Sequence, residues 1–257
     1  CHTPIRYYWS HYDEYRKNPG FGKLNWLIRL LMPVMVPPLK RADFNAAQKV
    51  DYFIGNSTTV KKRIETYYKQ PVSVIHPPVS TSRFKPAKKR TDYYVALSRQ
   101  IPYKRLDLAV AAANELQFPL HVFGDGSEHE KLVAMAGPTV SFFPGTPSKE
   151  DQDRITENFN SAKGMIFPAE EDFGITPVEA MSGGTPVIAY GVGGARDIVL
   201  DGKTGVFFDS QTKESVVQAV KRLESLDIKP SDVRDRALIF DKTKFIDNIK
   251  KFVTDVR

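Results

Sequence analysis

The sequence predicts an α/β fold of two Rossmann-like parts: a C-terminal doubly wound parallel sheet preceded by a partial, N-terminally truncated domain of the same kind. Three observations support this. Short apolar runs alternate with helical patterns from residue 91 onward, which is typical of a parallel sheet covered on both faces. Residues 81–90 are polar and basic without hydrophobic periodicity, which predicts a linker. The length of 257 residues suits one or two domains.

Residues 1–80 are predicted to form the partial N-terminal domain. The opening "CHTPIRYYWS" is interpreted as the end of a buried strand, and because no initiator Met precedes it we expect an earlier portion of the protein. The segment "KLNWLIRLLMPVMVPPLK" permits two interpretations, a core helix or a basic amphipathic segment on a bilayer surface. "DYFIGNS" and "VSVIHPPV" then predict strands on either side of the helix "TTVKKRIETYY".

Residues 91–257 are predicted to form the C-terminal domain. The predicted strands are DYYVALS, PLHVFG, TVSFFPG, GMIFPA, TPVIAYG and TGVFF, each followed by a helical or turn pattern. The connections should be right-handed crossovers. The tail, residues 241–257, reads as an amphipathic helix that is expected to pack back on the N-terminal domain.

Composition narrows the classes of partner. A net charge of +7 and a pI near 9.3 suit an anionic ligand or surface. Nucleic acid is disfavoured because the basic residues are dispersed and no reading module is recognisable. The single cysteine excludes an internal disulfide framework, and no apolar run reaches the ~18 residues of a spanning helix.

Two carboxylates flank a glycine-containing loop in "EEDFGITPVEAMSGG". Glu179 fits a capping box with Thr176, Pro177 standing at the first helical position, and this would give it a purely structural role. Glu171 precedes the helix at the carboxyl end of a predicted strand, where ligands bind in open α/β sheets. Either the pair is structural, or it accepts hydrogen bonds from sugar hydroxyls.

A second group of candidates lies in "SRQIPYKRLDL". Arg99 ends a predicted strand, and Lys104 and Arg105 fall at the start of the next helix, where cations oppose the helix dipole. An anion bound at this junction would turn that penalty into attraction. A solvated basic surface is the alternative.

The remaining motifs each have a structural alternative. "FGDGSEHE" and "YGVGG" place glycines after strands, as turns or as points of close approach to a ligand, and the first does not complete a dinucleotide fingerprint. Asp151 and Asp153 resemble a D-x-D metal motif, but acids after Ser148 suit the first turn of a helix, so no metal site is predicted. His2 reads by itself as a core or loop histidine.

Together these pieces resemble the retaining, GT-B-fold glycosyltransferases of family 4. The resemblance covers essentially the whole chain and rests on the E-x7-E pair, the Arg99…Lys104 pair, "FGDGSEHEKL", "GGARDIVLDGKTG" and "VDYFIGNSTTVKKRI…VIHPPVSTSRF". The opening "HTPIRYYW" is similar to mannosyltransferases that build bacterial and archaeal surface polysaccharides.

The resemblance implies a role for each matching residue. Arg99 and Lys104 would hold the donor diphosphate without a metal, Glu171 would contact the transferred sugar and phosphates, and His2 would lie beside the sugar. Glu179 would accept the ribose hydroxyls. The other donor-binding residues it implies are Phe173, Gly174 and Ile175, through their amides, and Gly124, Gly145 and Thr146, in the loops that would carry the nucleotide.

The implied activity is transfer of a hexose, with GDP-mannose as the first choice of donor and a UDP-hexose as the other, to a glycan or lipid-linked acceptor. The implied location is the cytoplasm, with peripheral contact at the inner face of the membrane, and no cofactor is implied. Two departures from the family are Asp197, where Glu is commoner, and the lack of a glycine-rich acceptor loop. A catalytically silent nucleotide-sugar-binding module is therefore the alternative.

Overall fold

The structure, a computed structural model, describes residues 1–17, 19–20 and 22–256. The chain divides into two units, Cys1–His76 and Pro77–Arg257.

The N-terminal unit contains one parallel strand pair. Its elements are α1 (Tyr12–Lys17), α2 (Asn25–Ala47), β1 (Phe53–Gly55), α3 (Thr58–Tyr67) and β2 (Val72–Val74). β1 and β2 pair in parallel with Phe53 opposite Val72, so that β1, α3 and β2 form a βαβ unit. The Ser57 side chain caps α3 by accepting a 3.1 Å hydrogen bond from the Val60 amide, and Val60 and Ile64 are buried beneath the helix.

Two predictions for this unit are wrong. Residues 1–11 form coil and turns rather than a buried strand, although the terminal amine of Cys1 reaches the Ile54 carbonyl oxygen at 2.7 Å. α2 is not a core helix, because the core of this unit gathers around α3 and β2 and only Val36 and Ala47 of α2 are buried. Several of its other apolar side chains are exposed, with Trp26 66% and Val34 73% exposed, whereas Leu27 and Met32 are half-buried.

The C-terminal unit is built on a parallel sheet. Within the described residues its strands are β3 (Tyr94–Leu97), β4 (Leu120–Phe123), β5 (Val140–Phe143), β6 (Gly164–Phe167), β7 (Val187–Tyr190) and β8 (Gly205–Phe208). The strand order is β5-β4-β3-β6-β7-β8, and all the neighbouring pairs are parallel. The apolar runs read from the sequence are therefore these strands.

Helices cover both faces of this sheet. The helices of this unit within the described residues are α4 (Leu106–Leu116), α5 (His129–Met135), α6 (Lys149–Ser161), α7 (Ile175–Ser182), α8 (Ala195–Ile198), α9 (Lys213–Glu224), α10 (Pro230–Leu238) and α11 (Lys242–Asp255), of which α11 buries no residue. One apolar core lies between the sheet and α6, α7 and α10, and the other lies between the sheet and α4, α5 and α9. The predicted α/β class with a doubly wound parallel sheet is confirmed.

The strand order creates a switch point between β3 and β6. From β3 the chain moves outward through β4 and β5, and it then crosses back to place β6 on the other side of β3. The loops after β3 and β6 consequently leave in opposite directions and open a crevice at the carboxyl edge of the sheet. Ligands bind in this crevice in doubly wound folds.

Residues 81–90, predicted as a linker, pack on the C-terminal unit. Phe84 is buried, and the guanidinium of Arg90 donates to the carbonyl oxygens of Ala162 and Gly183, each at 2.9 Å, and to Thr185 Oγ1 at 2.6 Å. Burial without a carboxylate partner lowers the pKa of Arg90 to about 10. Since Gly183 ends α7, this cation also stabilises the carboxyl end of that helix.

Candidate functional site

The loop after β3 is fixed to the loop after β4 by Gln100. Its buried side-chain amide donates to the Gly124 carbonyl oxygen at 2.6 Å, and its Oε1 lies 2.8 Å from His129 Nδ1. Its backbone amide donates to the Asp125 carbonyl oxygen at 2.8 Å. Arg99, one residue earlier, is exposed at the mouth of the crevice. An exposed cation is therefore carried on an anchored backbone.

Gly124 and Gly145 permit the strand-end loops to approach closely. Gly124 has φ +116°, and a Cβ there would lie 2.1 Å from the Ser98 carbonyl oxygen. A Cβ on Gly145 would lie 2.9 Å from the Cα of Gly124. The structure gives these glycines a packing role, while their predicted part in donor binding stays a prediction.

We expect Gly124→Ala to lower the free energy of unfolding by about 3 kcal/mol or more, because it adds a backbone clash to the cost of a positive φ. Gly202→Ala is the matched control. Gly202 also has a positive φ, +74°, but the nearest atom to its added Cβ is 4.0 Å away, so its cost should be about 1–2 kcal/mol. Urea unfolding of both variants measures the difference, and equal costs would contradict the packing role.

Lys104 and Arg105 separate at the start of α4. Lys104 ends a short 3-10 turn, Pro102–Lys104, and is buried. Arg105 follows in the left-handed region at φ +52° and turns to Asp107, with Nε 3.1 Å from Oδ1 and Nη2 3.1 Å from Oδ2. Because Arg105 is left-handed, the two adjacent basic side chains point in different directions. Lys104 lies in the crevice, and Arg105 does not.

Lys104 forms an ion pair with Glu171 across the switch point. Its Nζ donates to Glu171 Oε1, and the two side chains are 10% and 26% exposed. Glu171 follows β6 and forms a parallel bridge with Gly193, and its carbonyl oxygen accepts from the Gly194 amide at 2.8 Å. Gly193 has φ +77°, and a Cβ there would lie 2.3 Å from that oxygen, so this glycine pair makes room for the Glu171 backbone.

The amino terminus of α7 lies in the same loop, and its N-cap residue, Gly174, has no side chain with which to cap it. The N-cap is Gly174, with φ +105°, and α7 begins at Ile175. Thr176 is therefore the second helical residue and Pro177 the third, so the predicted capping box with Glu179 is wrong. The reason is that the left-handed glycine, and not the threonine, breaks the helical backbone. The first amides of α7 have no intrahelical acceptor and suit an anion.

Glu179 is a half-buried carboxylate that takes no part in capping α7, since Gly174 and not Thr176 is the N-cap. Among the described residues, no side chain or amide donates a hydrogen bond to its carboxylate. Burial raises its pKa, and the positive charge of Arg83 partly opposes that rise. An acceptor held in this state is able to bind ligand hydroxyls. Nearby Phe173 is buried against Phe240, with the ring centroids 5.5 Å apart.

Thr146 and Asp151 are hydrogen-bonded to each other. The Thr146 hydroxyl donates to Asp151, and Ser148 caps α6 by accepting from the Asp151 amide at 3.2 Å, which confirms the predicted helix start. These hydrogen bonds lower the pKa of Asp151. No group of three or more metal-ligating side chains occurs in the described residues.

The structure brings Arg99, Lys104, Glu171 and the α7 terminus to the carboxyl edge of one sheet, and Glu179 lies one turn further along α7. His2 lies in the N-terminal unit, where it is exposed, and its place beside a donor sugar stays a prediction. Sequence reasoning missed Gln100 and Tyr103. The signal for Tyr103 was an aromatic residue directly before Lys104 in a loop that begins with Arg99.

Residues 79–238 match the family model described as glycosyl transferases group 1. The chain is 32% identical over 216 residues to a D-inositol 3-phosphate glycosyltransferase of Acidothermus cellulolyticus, covering 71% of this chain and 47% of the relative. It is 29% identical over 222 residues to a GDP-mannose-dependent alpha-(1-6)-phosphatidylinositol monomannoside mannosyltransferase of Mycolicibacterium smegmatis, covering 74% and 56%. The chain thus spans about half the length of these curated relatives.

Solved structures share the fold. Sucrose-phosphate synthase from Thermosynechococcus elongatus superposes with a TM-score of 0.74 at 19% identity, over 86% of this chain and 62% of that one. Anabaena HepE, solved with UDP and glucose, gives a TM-score of 0.70 at 18% identity, over 84% and 66%. These likenesses confirm the GT-B type of α/β fold.

Proposed function

The chain belongs to the group 1 glycosyl transferases, and we propose that it carries the donor-binding half of a retaining, metal-independent hexosyltransferase of family 4. The observation that supports this most directly is the nearly buried Lys104, held beside Glu171 and the uncapped terminus of α7 at the switch point. A cation and a helix amino terminus at the same edge of the sheet suit a nucleoside diphosphate.

In this proposal the cations and the amides bind the phosphates. Arg99 offers a planar fork from the mouth of the crevice and Lys104 a point charge from its interior. The amides from Phe173 to Ile175 face the developing charge on the leaving diphosphate. These groups together replace the metal ion that other glycosyltransferases use for the same purpose.

The carboxylates bind hydroxyls. Glu179 accepts from the ribose of the donor, because it is half-buried and no described residue donates a hydrogen bond to its carboxylate. Glu171 accepts a hydrogen bond from Lys104 and, in this proposal, another from a hydroxyl of the transferred sugar. This shared contact places the sugar next to the phosphate that Lys104 binds. Gly145 and Thr146 lie in the loop after β5, where we propose that the base binds.

The reaction exchanges one bond at the anomeric carbon. The bond from that carbon to the phosphate oxygen breaks with its electrons on the phosphate, and the acceptor oxygen bonds to the same face. The acceptor proton passes to the departing phosphate, so that no protein base is required. Retention follows because attack and departure share a face, as the resemblance to family 4 implies.

GDP-mannose is the donor we propose first, and the acceptor is a glycan or a lipid-linked sugar. Mannosyltransferases occur among the relatives, one of them named as GDP-mannose-dependent. A UDP-hexose is the second choice, since neighbours in fold were solved with UDP.

Calorimetric titration of the chain tests the proposal. GDP, GDP-mannose, UDP and UDP-glucose are titrated in EDTA, on the wild type and on Glu179→Ala. We expect one nucleotide family to bind in EDTA and the variant to lose that binding. Absence of binding by all four would contradict a donor site, and binding that requires Mg²⁺ would contradict metal independence.

The second candidate function is a silent nucleotide-sugar-binding module. The observation that favours it is that Arg99, Lys104, Glu171 and Glu179, which the proposal assigns to the donor, all lie in the C-terminal unit. Donor hydrolysis separates the two candidates, because a silent module binds GDP-mannose or UDP-glucose without releasing GDP or UDP.

We also propose that α2 makes peripheral contact with an anionic membrane at the cytoplasmic face. In the part of the chain that the structure describes, no helix is long and apolar enough to cross a bilayer. α2 instead exposes Trp26, Leu30 and Val34 at four-residue spacing. Basic residues flank this apolar row, with no acidic residue between Lys23 and Arg41. Such a surface combines apolar insertion with attraction to anionic lipids.

Replacing Trp26, Leu30 and Val34 by Ser should therefore abolish cosedimentation with phosphatidylglycerol vesicles, because it removes the apolar row and keeps the charge. Val133→Ser, which removes a 46% exposed apolar side chain from α5, is the control and should leave binding unchanged. Undiminished vesicle binding by the triple variant would contradict the membrane proposal.

A further inference from the structure

Tyr103 lies between the two cations of the site. Arg99 Nη2 donates to the Tyr103 hydroxyl oxygen at 3.3 Å, and Lys104 Nζ lies 5.0 Å from the centroid of the Tyr103 ring. The tyrosine is 49% exposed, so ligands have access to it. One aromatic side chain thus contacts both groups that the proposed function assigns to the diphosphate.

The hydroxyl of Tyr103 retains a hydrogen-bonding capacity. A phenol has one proton to donate and lone pairs to accept with, and Arg99 uses a lone pair. Among the described residues, no acceptor is within hydrogen-bonding distance of the Tyr103 hydroxyl proton. An anion held by Arg99 would lie beside this donor and supply the missing acceptor.

The backbone fixes Tyr103 in this place. The Ile101 amide donates to the Arg99 carbonyl oxygen at 3.0 Å, and the Lys104 amide donates to that of Ile101 at 3.0 Å. The Arg105 amide closes the turn on the Pro102 carbonyl oxygen at 3.2 Å. Tyr103 therefore sits on a turn whose backbone is closed by hydrogen bonds.

We propose that Tyr103 is a third ligand of the diphosphate, a role that rests on the proposed function. Its hydroxyl donates to an oxygen of the phosphate that is bonded to the sugar. This phosphate is the one expected here because Lys104, next to Tyr103, is paired with Glu171, which the proposed function assigns to the sugar. Its ring holds the Lys104 ammonium over the site by a cation–π contact, and its oxygen holds Arg99. Tyr103 thus both binds the phosphate and positions the two cations.

The test compares nucleotides that differ by the distal phosphate. The dissociation constants of GDP and GMP, and of UDP and UMP as a second pair, are measured by calorimetry for the wild type, Tyr103→Phe and Tyr103→Leu. Tyr103→Phe removes the hydroxyl and keeps the ring, and we expect it to weaken diphosphate binding about tenfold while monophosphate binding changes less than about twofold. Tyr103→Leu removes both the hydroxyl and the aromatic ring, and it should weaken diphosphate binding further than Tyr103→Phe does.

Tyr93→Phe is the matched control. Its hydroxyl lies 2.7 Å from Ser161 Oγ, and it directly precedes β3, at the opposite end of the strand from Arg99. It should leave both affinities unchanged. Equal weakening of diphosphate and monophosphate by Tyr103→Phe would reduce Tyr103 to a structural residue and overturn the inference.

The inference and the proposed function fail in different ways. A wild type that binds neither nucleotide pair would overturn the donor site, and the role of Tyr103 with it. A wild type that binds a diphosphate, combined with an unchanged diphosphate-to-monophosphate ratio in Tyr103→Phe, would overturn only the role of Tyr103.

Discussion

Replacing Lys104 by Met is expected to weaken binding of the nucleoside diphosphate by about 10- to 100-fold and to lower turnover by about 10²- to 10³-fold. Met keeps most of the length of the side chain and removes its charge. The loss is large because the ammonium lies in a nearly buried site, where a point charge is poorly screened. Calorimetry with GDP and UDP measures the first effect, and release of GDP or UDP from the donor sugar measures the second.

Lys131→Met is the matched control for this prediction. Lys131 lies on α5, its side chain is 65% exposed, and its Nζ is 2.6 Å from Glu128 Oε2. Its loss should leave nucleotide affinity unchanged. Because Lys104→Met also leaves Glu171 without its partner, the unfolding midpoint of each variant is measured in parallel. Affinity close to the wild-type value in a folded Lys104→Met protein would remove Lys104 from the site.

Replacing Glu179 by Gln should have two opposite effects. The variant should bind GDP or UDP at least about tenfold more weakly, since a neutral amide accepts a hydroxyl proton less strongly than a carboxylate does. It should also have a higher melting temperature, because the substitution removes a half-buried charge whose desolvation the native state must bear. This combination distinguishes a binding residue from a structural one.

The raised pKa of Glu179 makes its contribution to the free energy of unfolding depend on pH. In the unfolded chain this group titrates near 4.5, and in the native state it does so at higher pH. Between these two values the native state binds more protons, so the contribution of Glu179 to stability falls as pH rises through the window above 4.5. Glu179→Gln should abolish this part of the decline, which urea unfolding at a series of pH values between about 4 and 8 measures.

Glu150→Gln serves as the control, because its side chain is 81% exposed on α6. A ribose contact makes one further demand. The preference for GDP over 2′-deoxy-GDP, or for UDP over 2′-deoxy-UDP, should shrink in Glu179→Gln and persist in Glu150→Gln. A preserved preference in both variants would assign Glu179 to some other part of the ligand.

Features with local causes could be predicted from the sequence. The alternation of apolar strands with helices predicted the doubly wound sheet, because burial on both faces requires such runs. Ser148 predicted the start of α6, because its hydroxyl oxygen accepts a hydrogen bond from the amide three residues further along the chain. The candidate residues of the crevice followed from their positions after predicted strands.

Features that depend on backbone geometry could not be predicted. Thr176 and Gly174 are both acceptable helix caps by residue type, and the left-handed φ of Gly174 decides between them. Lys104 and Arg105 are chemically alike in sequence, and the left-handed φ of Arg105 sends one into the crevice and the other to Asp107. The apolar segment that became α2 suited a core, but the core of that unit forms elsewhere.

The sequence by itself determined the fold class, the order of the elements and the chemical types available at the end of each strand. Only the tertiary structure decided that Lys104 pairs with Glu171, 67 residues away, and that the amino terminus of α7 lies in the Glu171 loop without a cap. The physical reason is the range of the interactions. Alternating burial and capping involve neighbours along the chain, whereas the crevice exists because packing over the whole sheet places β6 beside β3.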